Sequence, residues 1–359
     1  MRVMSVVGAR PQFVKLAPID AAFREAGIDH VIVHTGQHYD PMLSDVFFSD
    51  LGISAPDVHL GVGSGSHGVQ TGTMLAAMDE TIETHRPDWV LVYGDTNSTL
   101  AGALSAVKLH VPIAHLEAGL RSFNRAMPEE INRVLTDHAA DLLLTPTRAG
   151  AEHLAAEGLQ ARTVVVGDVM TDVLLQVRDR VARTPSPVAQ RPGPAEGEYS
   201  LATIHRAENT DDAARLREIL DSLAAVDHPV VLLAHPRLAA KCAEHGLDLE
   251  DRGALRIHPP LPYPDLIASA LHARGIVTDS GGLQKEAFLL RVPCTTVRPQ
   301  TEWVETVELG WNVLVEPGPE LAAAVSRPWP SEPEEALAHP YGDGRAAERV
   351  ARVLAERAP

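Results

Sequence analysis

The chain has few of the features that would point to disulfides, nucleic acid or membrane. Its 359 residues hold only two cysteines, Cys242 and Cys294, which form no metal-ligand spacing and demand no oxidising compartment. Positive charge is in deficit, with 31 Lys plus Arg against 48 Asp plus Glu and a formal net charge of −17. Such a surface repels nucleic acid and anionic membranes, so neither is expected as a partner, and any phosphate must be held in a local pocket that defeats the overall field. Long apolar runs are missing too. Arg10, Lys15 and Asp20 interrupt the opening stretch, so neither a secretory segment nor a bilayer span is expected, and the cytoplasm is the expected location. A P-loop is also absent, which argues against γ-phosphate chemistry. Gly63, Gly65 and Gly68 match G-x-G-x-x-G literally. The first strand leads elsewhere and no acid ends a second strand at the required distance, so no dinucleotide cofactor is expected.

What is present describes a globular chain, 45% hydrophobic and 22% charged, too long for one comfortable core. Short β-favouring runs alternate with helical patterns from Arg2 onward, and the alternation restarts after a Pro- and Gly-rich stretch between Val181 and Glu198. The pattern predicts an α/β fold of two Rossmann-like domains facing across a cleft. The expected division is 1–167, an N-terminal domain carrying catalytic carboxylates, 168–341, a C-terminal domain, and 342–359, a helix crossing back to the first.

The densest chemistry lies between Leu91 and Leu144. Asp95 and Glu117 follow the runs ending at Tyr93 and His115 almost at once, which in an open α/β sheet is the ligand-binding edge. Pro128 can open a helix, where its missing N–H costs nothing. Glu129, Arg133 and Asp137 then recur every four residues and are expected on one helical face. Carboxylates crowded at one edge can be driven to different pKa values and take different acid and base roles; a capping acid with surface ion pairs is the plainer alternative. At the opening strand, Arg10 and Lys15 begin a basic helix in an acidic protein, available to a diphosphate.

In the second half, TDSGGLQKEAF turns from a strand into a helix. Gly281 and Gly282 allow amides to approach an oxyanion, Ser280 and the helix start can cradle phosphate, and Glu286 can accept both hydroxyls of a ribose. HRAEN places His205 and Arg206 just past another strand; the histidine can donate to phosphate or move a proton, and the arginine can neutralise phosphate. His235, in HPR, serves either the same site or its own loop.

Together GARPQF, TGQH, GDTNSTL, HLEAGLRS, MPEEINR, HRAEN, DSGGLQKE and TEWVET, spread in order over the chain, resemble the bacterial non-hydrolysing UDP-N-acetylglucosamine 2-epimerases. GARPQF, YGDTNSTL and TEW are also similar to a branch acting on UDP-2,3-diacetamido-2,3-dideoxyglucuronate. The resemblance implies a glycosyltransferase-B arrangement, a homodimer, a UDP-sugar substrate and no cofactor or metal. It implies Asp95, Glu117, Glu129 and His205 as the catalytic set, with Arg10, Lys15, Arg133, Ser280, Gly281, Gly282 and Glu286 as diphosphate and ribose contacts. It also raises an effector site at the TGQHYD loop, with Gln37, His38 and Gln70 nearest; the alternative is that this loop merely lines the cleft. A hydrolytic relative and a glycosyltransferase of the same architecture remain open as other readings.

Overall fold

A computed structural model describes residues 1–37, 53–189, 193–334 and 337–357, the side chain of Arg10 excepted. The sequence pattern predicts a short helix over 41–49, which, like the candidate His38, lies outside the described residues. The chain divides into two compact units, Met1–Val173 with His339–Pro359, and Leu174–Ala338.

The first unit is built on seven parallel strands: β1 (Arg2–Val7), β2 (Asp29–His34), β3 (Val58–His59), β4 (Trp89–Tyr93), β5 (Ile113–Leu116), β6 (Leu142–Thr145) and β7 (Thr163–Val165). Their order is β3-β2-β1-β4-β5-β6-β7. The order reverses between β1 and β4, which is the topological switch point where ligands bind in such sheets. Its helices are α1 (Arg10–Glu25), α2 (His67–His85), α3 (Asn97–Lys108), α4 (Pro128–Ala139) and α5 (Arg148–Ala156), followed by α6 (Val169–Val181), along which the chain enters the second unit. Every residue of β4 and β5 is buried, as continuous apolar runs require when helices cover both faces of a parallel sheet.

The second unit has six parallel strands, β8 (Ser200–Thr203), β9 (Val230–Leu233), β10 (Leu255–His258), β11 (Gly275–Thr278), β12 (Cys294–Thr296) and β13 (Asn312–Leu314), ordered β10-β9-β8-β11-β12-β13. Here the switch point lies between β8 and β11. The helices are α7 (Ala207–Thr210), α8 (Ala213–Ala224), α9 (Pro236–His245), α10 (Tyr263–Leu271), α11 (Gly281–Leu289), α12 (Val304–Glu308) and α13 (Pro319–Val325). The fold class is therefore α/β with two Rossmann-like sheets, as the alternation of patterns predicts.

The last helix, α14 (Ala346–Glu356), buries Ala347, Val350, Val353 and Leu354 in the first unit's core beside Leu16 and Phe23 of α1. The apolar periodicity predicts a start at Asp343. The helix instead begins at Ala346, because the Asp172 carboxylate accepts the free amides of Ala346 and Ala347 at 3.0 and 2.8 Å. Both cysteines are buried and unbridged, and burial pushes the Cys294 thiol up to about 12, so neither is set up as a thiolate nucleophile. Among the described residues no helix is long and apolar enough to cross a membrane.

Candidate active site

At the first switch point the chain makes a tight turn after β4. Gly94 has φ +63°, and a Cβ there would stand 3.0 Å from Glu117 Oε2. Glycine is thus needed for the backbone and for the space. Glu117, directly past β5, is itself left-handed at φ +70°, a conformation costing a non-glycine residue about 1 kcal/mol or more. Its N–H donates to the Leu144 carbonyl at 3.0 Å, and its carboxylate pairs with the Lys15 ammonium from α1. Burial pulls the Lys15 pKa down, but Glu117, then Asp168 and Asp95, more than offset it, leaving the group above its ordinary value.

Asp95 is held from α4. Arg133 Nη2 donates to Asp95 Oδ2 at 2.6 Å, and its Nη1 to Glu130 Oε2 at 3.0 Å. Asn132 Nδ2 donates to the Asp95 carbonyl at 2.9 Å. Glu130 also accepts the Ser122 amide and hydroxyl and the Phe123 amide, at 2.8, 3.0 and 3.0 Å. Burial pushes its carboxyl up, but these donors and Arg133 bring it below its ordinary value.

The expected common face of Glu129, Arg133 and Asp137 does not form. Eight residues of helix turn about 80° past two full turns, enough to send Asp137 inward while Glu129 stays exposed. Asp137, wholly buried, meets His115 Nδ1 at 2.6 Å, Arg121 Nη1 at 2.7 Å and the Gly119 amide at 3.1 Å. Glu129 makes no hydrogen bond or ion pair among the described residues. The structure therefore brings together Lys15, Asp95, Glu117 and Arg133 with Glu130, a residue the periodicity did not single out.

Two buried side chains behind this group also escaped sequence reasoning. His115 Nε2 donates to the Gly94 carbonyl at 2.7 Å. Gln12 accepts the Gly8 and Ala9 amides at 2.8 and 3.0 Å and donates to the Tyr93 carbonyl and Thr99 hydroxyl at 2.8 and 3.2 Å. It thereby braces the turn carrying Arg10 against the turn carrying Asp95. Gln12 stands within GARPQF, where the motif was visible but its partners were not.

Gln37 and Gln70 are close together, with Gln70 Nε2 3.4 Å from the Gln37 carbonyl. Both are committed elsewhere: Gln37 Oε1 accepts the Ser98 amide and hydroxyl at 3.0 and 2.7 Å, while Gln70 donates to the Gly63 carbonyl at 3.1 Å and accepts from Asn97 at 2.8 Å.

In the second unit the switch point is organised by Asp279, wholly buried directly past β11. It accepts the amides of His205 and Arg206 at 3.1 and 2.9 Å and Asn209 Nδ2 at 3.1 Å, which moulds the HRAEN turn. His205 Nδ1 lies 3.3 Å from its Oδ1. The His205 ring packs near that of His235, with centroids 5.2 Å apart. Burial, and then His205, push the His235 pKa down. Among the described residues the Arg206 side chain has one distant ion-pair partner, Glu208 at 4.0 Å. Ser280 caps α11, with Oγ 3.5 Å from the Leu283 amide. A Cβ on Gly281 would lie 2.3 Å from Glu302 Oε1, so the loop is packed closely there, whereas Gly282 is exposed. Glu286 accepts a hydrogen bond from the Tyr263 hydroxyl at 2.8 Å.

Each sheet thus carries a cluster at its own switch point, the first of carboxylates with paired cations, the second a glycine-rich helix start with two histidines. The family model of UDP-N-acetylglucosamine 2-epimerase matches residues 21–355. The chain belongs to that family. It is 45% identical over 363 residues to UDP-2,3-diacetamido-2,3-dideoxy-D-glucuronate 2-epimerase of Pseudomonas aeruginosa, covering 99% of this chain and 100% of that one. It is 43% identical over 357 residues to a UDP-N-acetylglucosamine 2-epimerase homolog of Methanococcus maripaludis, covering 99% of each. The structure of UDP-GlcNAc 2-epimerase from Methanocaldococcus jannaschii is similar with a TM-score of 0.84 and 36% identity, over 99% of this chain and 100% of that one. Both resemblances read from the motifs are met by these relatives.

Proposed function

We propose that the protein interconverts UDP-GlcNAc and UDP-ManNAc by eliminating and re-adding UDP. The observation that carries this reading is the pair of carboxylates at one switch point, Asp95 and Glu117, each held by its own cation, in a chain of this family. The C2 proton of an N-acetylhexosamine is not α to a carbonyl, so simple removal and return faces a high barrier. Elimination relieves it. A base takes the C2 proton, the C–H electron pair becomes the C1–C2 double bond, and the C1–O bond breaks to release UDP. The 2-acetamidoglucal then receives a proton on the opposite face of C2 as a UDP oxygen attacks C1.

Asp95, Glu117, Glu129 and His205 are the proposed proton carriers. Arg10, Lys15, Arg133, Arg206, His235, Ser280, Gly281 and Gly282 are proposed to balance the diphosphate, and Glu286 to take the ribose. Lys15 and Arg133 fit a double duty, since the cations that orient Glu117 and Asp95 also favour negative charge nearby. Incubation with UDP-GlcNAc followed by proton NMR tests the reading: UDP-ManNAc is expected, and accumulation of free ManNAc with UDP would replace it by hydrolysis. The Pseudomonas relative favours a second reading, in which the sugar is a diacetamido-uronate; turnover of that substrate but not of UDP-GlcNAc would establish it.

The active form is proposed to be a homodimer. The resemblance to the 2-epimerases is what supports this reading; sedimentation at the mass of one chain would reject it. Gln37 and Gln70, spent on Ser98, Gly63 and Asn97, are read as lining rather than as an effector site. A hyperbolic rate curve against UDP-GlcNAc is expected, and cooperativity would overturn that.

A further inference from the structure

We propose that Tyr263 is a positioning residue, gripping one oxygen of the Glu286 carboxylate so that the other is presented to the hydroxyl pair of a ribose. The inference rests on the reading of Glu286 as the ribose contact and adds how that carboxylate is aimed and kept ready. Tyr263 opens α10 and Glu286 lies on α11, one turn past the glycines. A carboxylate only accepts, so the tyrosine hydroxyl donates, at 2.8 Å to Oε1. Among the described residues it is the one hydrogen bond into the Glu286 side chain. Lys285, next along the helix, has its ammonium 4.6 Å over the Trp303 ring.

An ionised carboxylate can accept about four hydrogen bonds, of which Tyr263 supplies one to the partly buried Glu286. Burial accordingly pushes the Glu286 pKa up, and Tyr263 followed by Lys285 only partly offset this. The groups acting on it are thus Tyr263 from α10 and Lys285 from its own helix. A cis-diol supplies what is missing: two O–H donors matched to one carboxylate. Their hydrogen bonds favour the ionised form, so ribose binding must pull the Glu286 pKa back down. By linkage, affinity is weak where the empty carboxyl is protonated, rises as pH passes through its raised value, and levels above it. Without the Tyr263 hydroxyl the empty carboxyl moves higher still. The rise in affinity then shifts to higher pH, and affinity recovers once the carboxyl is ionised. A tyrosine that merely packs would lower affinity by one factor at every pH.

Calorimetry of uridine binding to the full-length protein between pH 5 and 8 tests this, because uridine lacks the titrating phosphates of UDP. Wild type is expected to bind more tightly as pH rises, by about tenfold for each unit separating the empty and occupied carboxyl. Glu286→Gln should be weak and flat with pH. Tyr263→Phe should show the same rise displaced to higher pH, and 2′,3′-dideoxyuridine should bind weakly and without pH dependence in every form. Wild-type affinity in Glu286→Gln would overturn the ribose reading and the inference with it. A weakened Glu286→Gln beside a Tyr263→Phe curve that is unchanged, or uniformly lowered, would overturn the role of Tyr263 alone.

Discussion

Arg133 binds Asp95 at 2.6 Å with one guanidinium nitrogen and Glu130 at 3.0 Å with the other, so one side chain ties the turn after β4 to the first turn of α4. The two acids are thereby given different work. Glu130 is buried and accepts the Ser122 and Phe123 amides and the Ser122 hydroxyl besides Arg133, whereas Asp95 is more open at 30% side-chain exposure and has Arg133 as its side-chain partner. Asp95→Asn and Glu117→Gln are expected to lower kcat by a factor on the order of 10² or more. UDP affinity by calorimetry should change far less, because most of the proposed clamp, Arg206, His235, Ser280 to Gly282 and Glu286, lies in the second unit. Parallel loss of affinity and rate would make them binding residues.

Glu130→Gln should behave differently from Glu129→Gln. Glu130 holds the Ser122 and Phe123 amides and Arg133, so its amide variant should lower Tm, with a loss of about 1 to 3 kcal/mol for weakening charge-assisted bonds to a buried group. Glu129, exposed and without a partner among the described residues, should leave Tm unchanged while reducing kcat if it carries a proton. Thermal melts of both variants with steady-state rates separate the cases, and an unchanged rate in Glu129→Gln would remove it from the catalytic set.

Gly94→Ala tests the turn itself. At φ +63° an alanine is strained by about 1 to 2 kcal/mol, and its Cβ would press on Glu117 Oε2. A modest fall in Tm is expected together with a larger fall in kcat, since Glu117 must shift away from Lys15. Full activity in a variant with lowered Tm would show that the close approach does not govern Glu117.

Both sheets were legible because their strands are short β-favouring runs separated by helical patterns, and Asp95 and Glu117 because each stands at the end of such a run. What escaped depends on direction around a helix or on distant partners. Glu129 and Glu130 are equally suited to the first turn after Pro128, and only the Ser122 and Phe123 amides decide which is buried. Asp137 reads as sharing a face with Glu129 and Arg133 until His115 and Arg121 are seen to enclose it. Asp279 sits in plain view within TDSGG, yet its role comes from amides more than 70 residues earlier in the chain. Tyr263 lies 23 residues before its partner Glu286, in a stretch that carries no motif of its own.

Acid stability should follow Asp20. Burial pushes its carboxyl up, but His30 and the Ser54 amide and hydroxyl outweigh this and set it at about 2, below the ordinary 3.8. The folded value is depressed, so its contribution is full above pH 4 and is lost as pH falls from about 4 through about 2. A shift of this size corresponds to about 2 kcal/mol at neutral pH. Asp20→Asn should therefore be less stable than wild type by about that amount at pH 7 in urea unfolding, with the gap closing below pH 3. A gap that persists at low pH would assign the loss to packing instead of ionic hydrogen bonding.

The reaction course is tested by the fate of one hydrogen. If the C2 proton is taken by a side chain such as Asp95 or Glu117, it exchanges with solvent before or during return, because these carboxylates are not sealed from water: the Asp95 side chain is 30% exposed and that of Glu117 13%. In D₂O, deuterium is then expected at C2 of the epimerised product, and also of recovered substrate, since the glucal can be reprotonated on either face. The elimination further predicts that the bond between C1 and the diphosphate oxygen is broken in each turnover, so that an ¹⁸O label placed in that bridging position scrambles into the non-bridging β-phosphate oxygens at a rate no slower than epimerisation. Proton NMR follows the first and phosphorus NMR the second. Deuterium at C2 without scrambling would point to direct deprotonation with the C1–O bond intact. Product that kept its original hydrogen and its label would sink both, and would require an oxidised sugar intermediate that returns the same hydrogen.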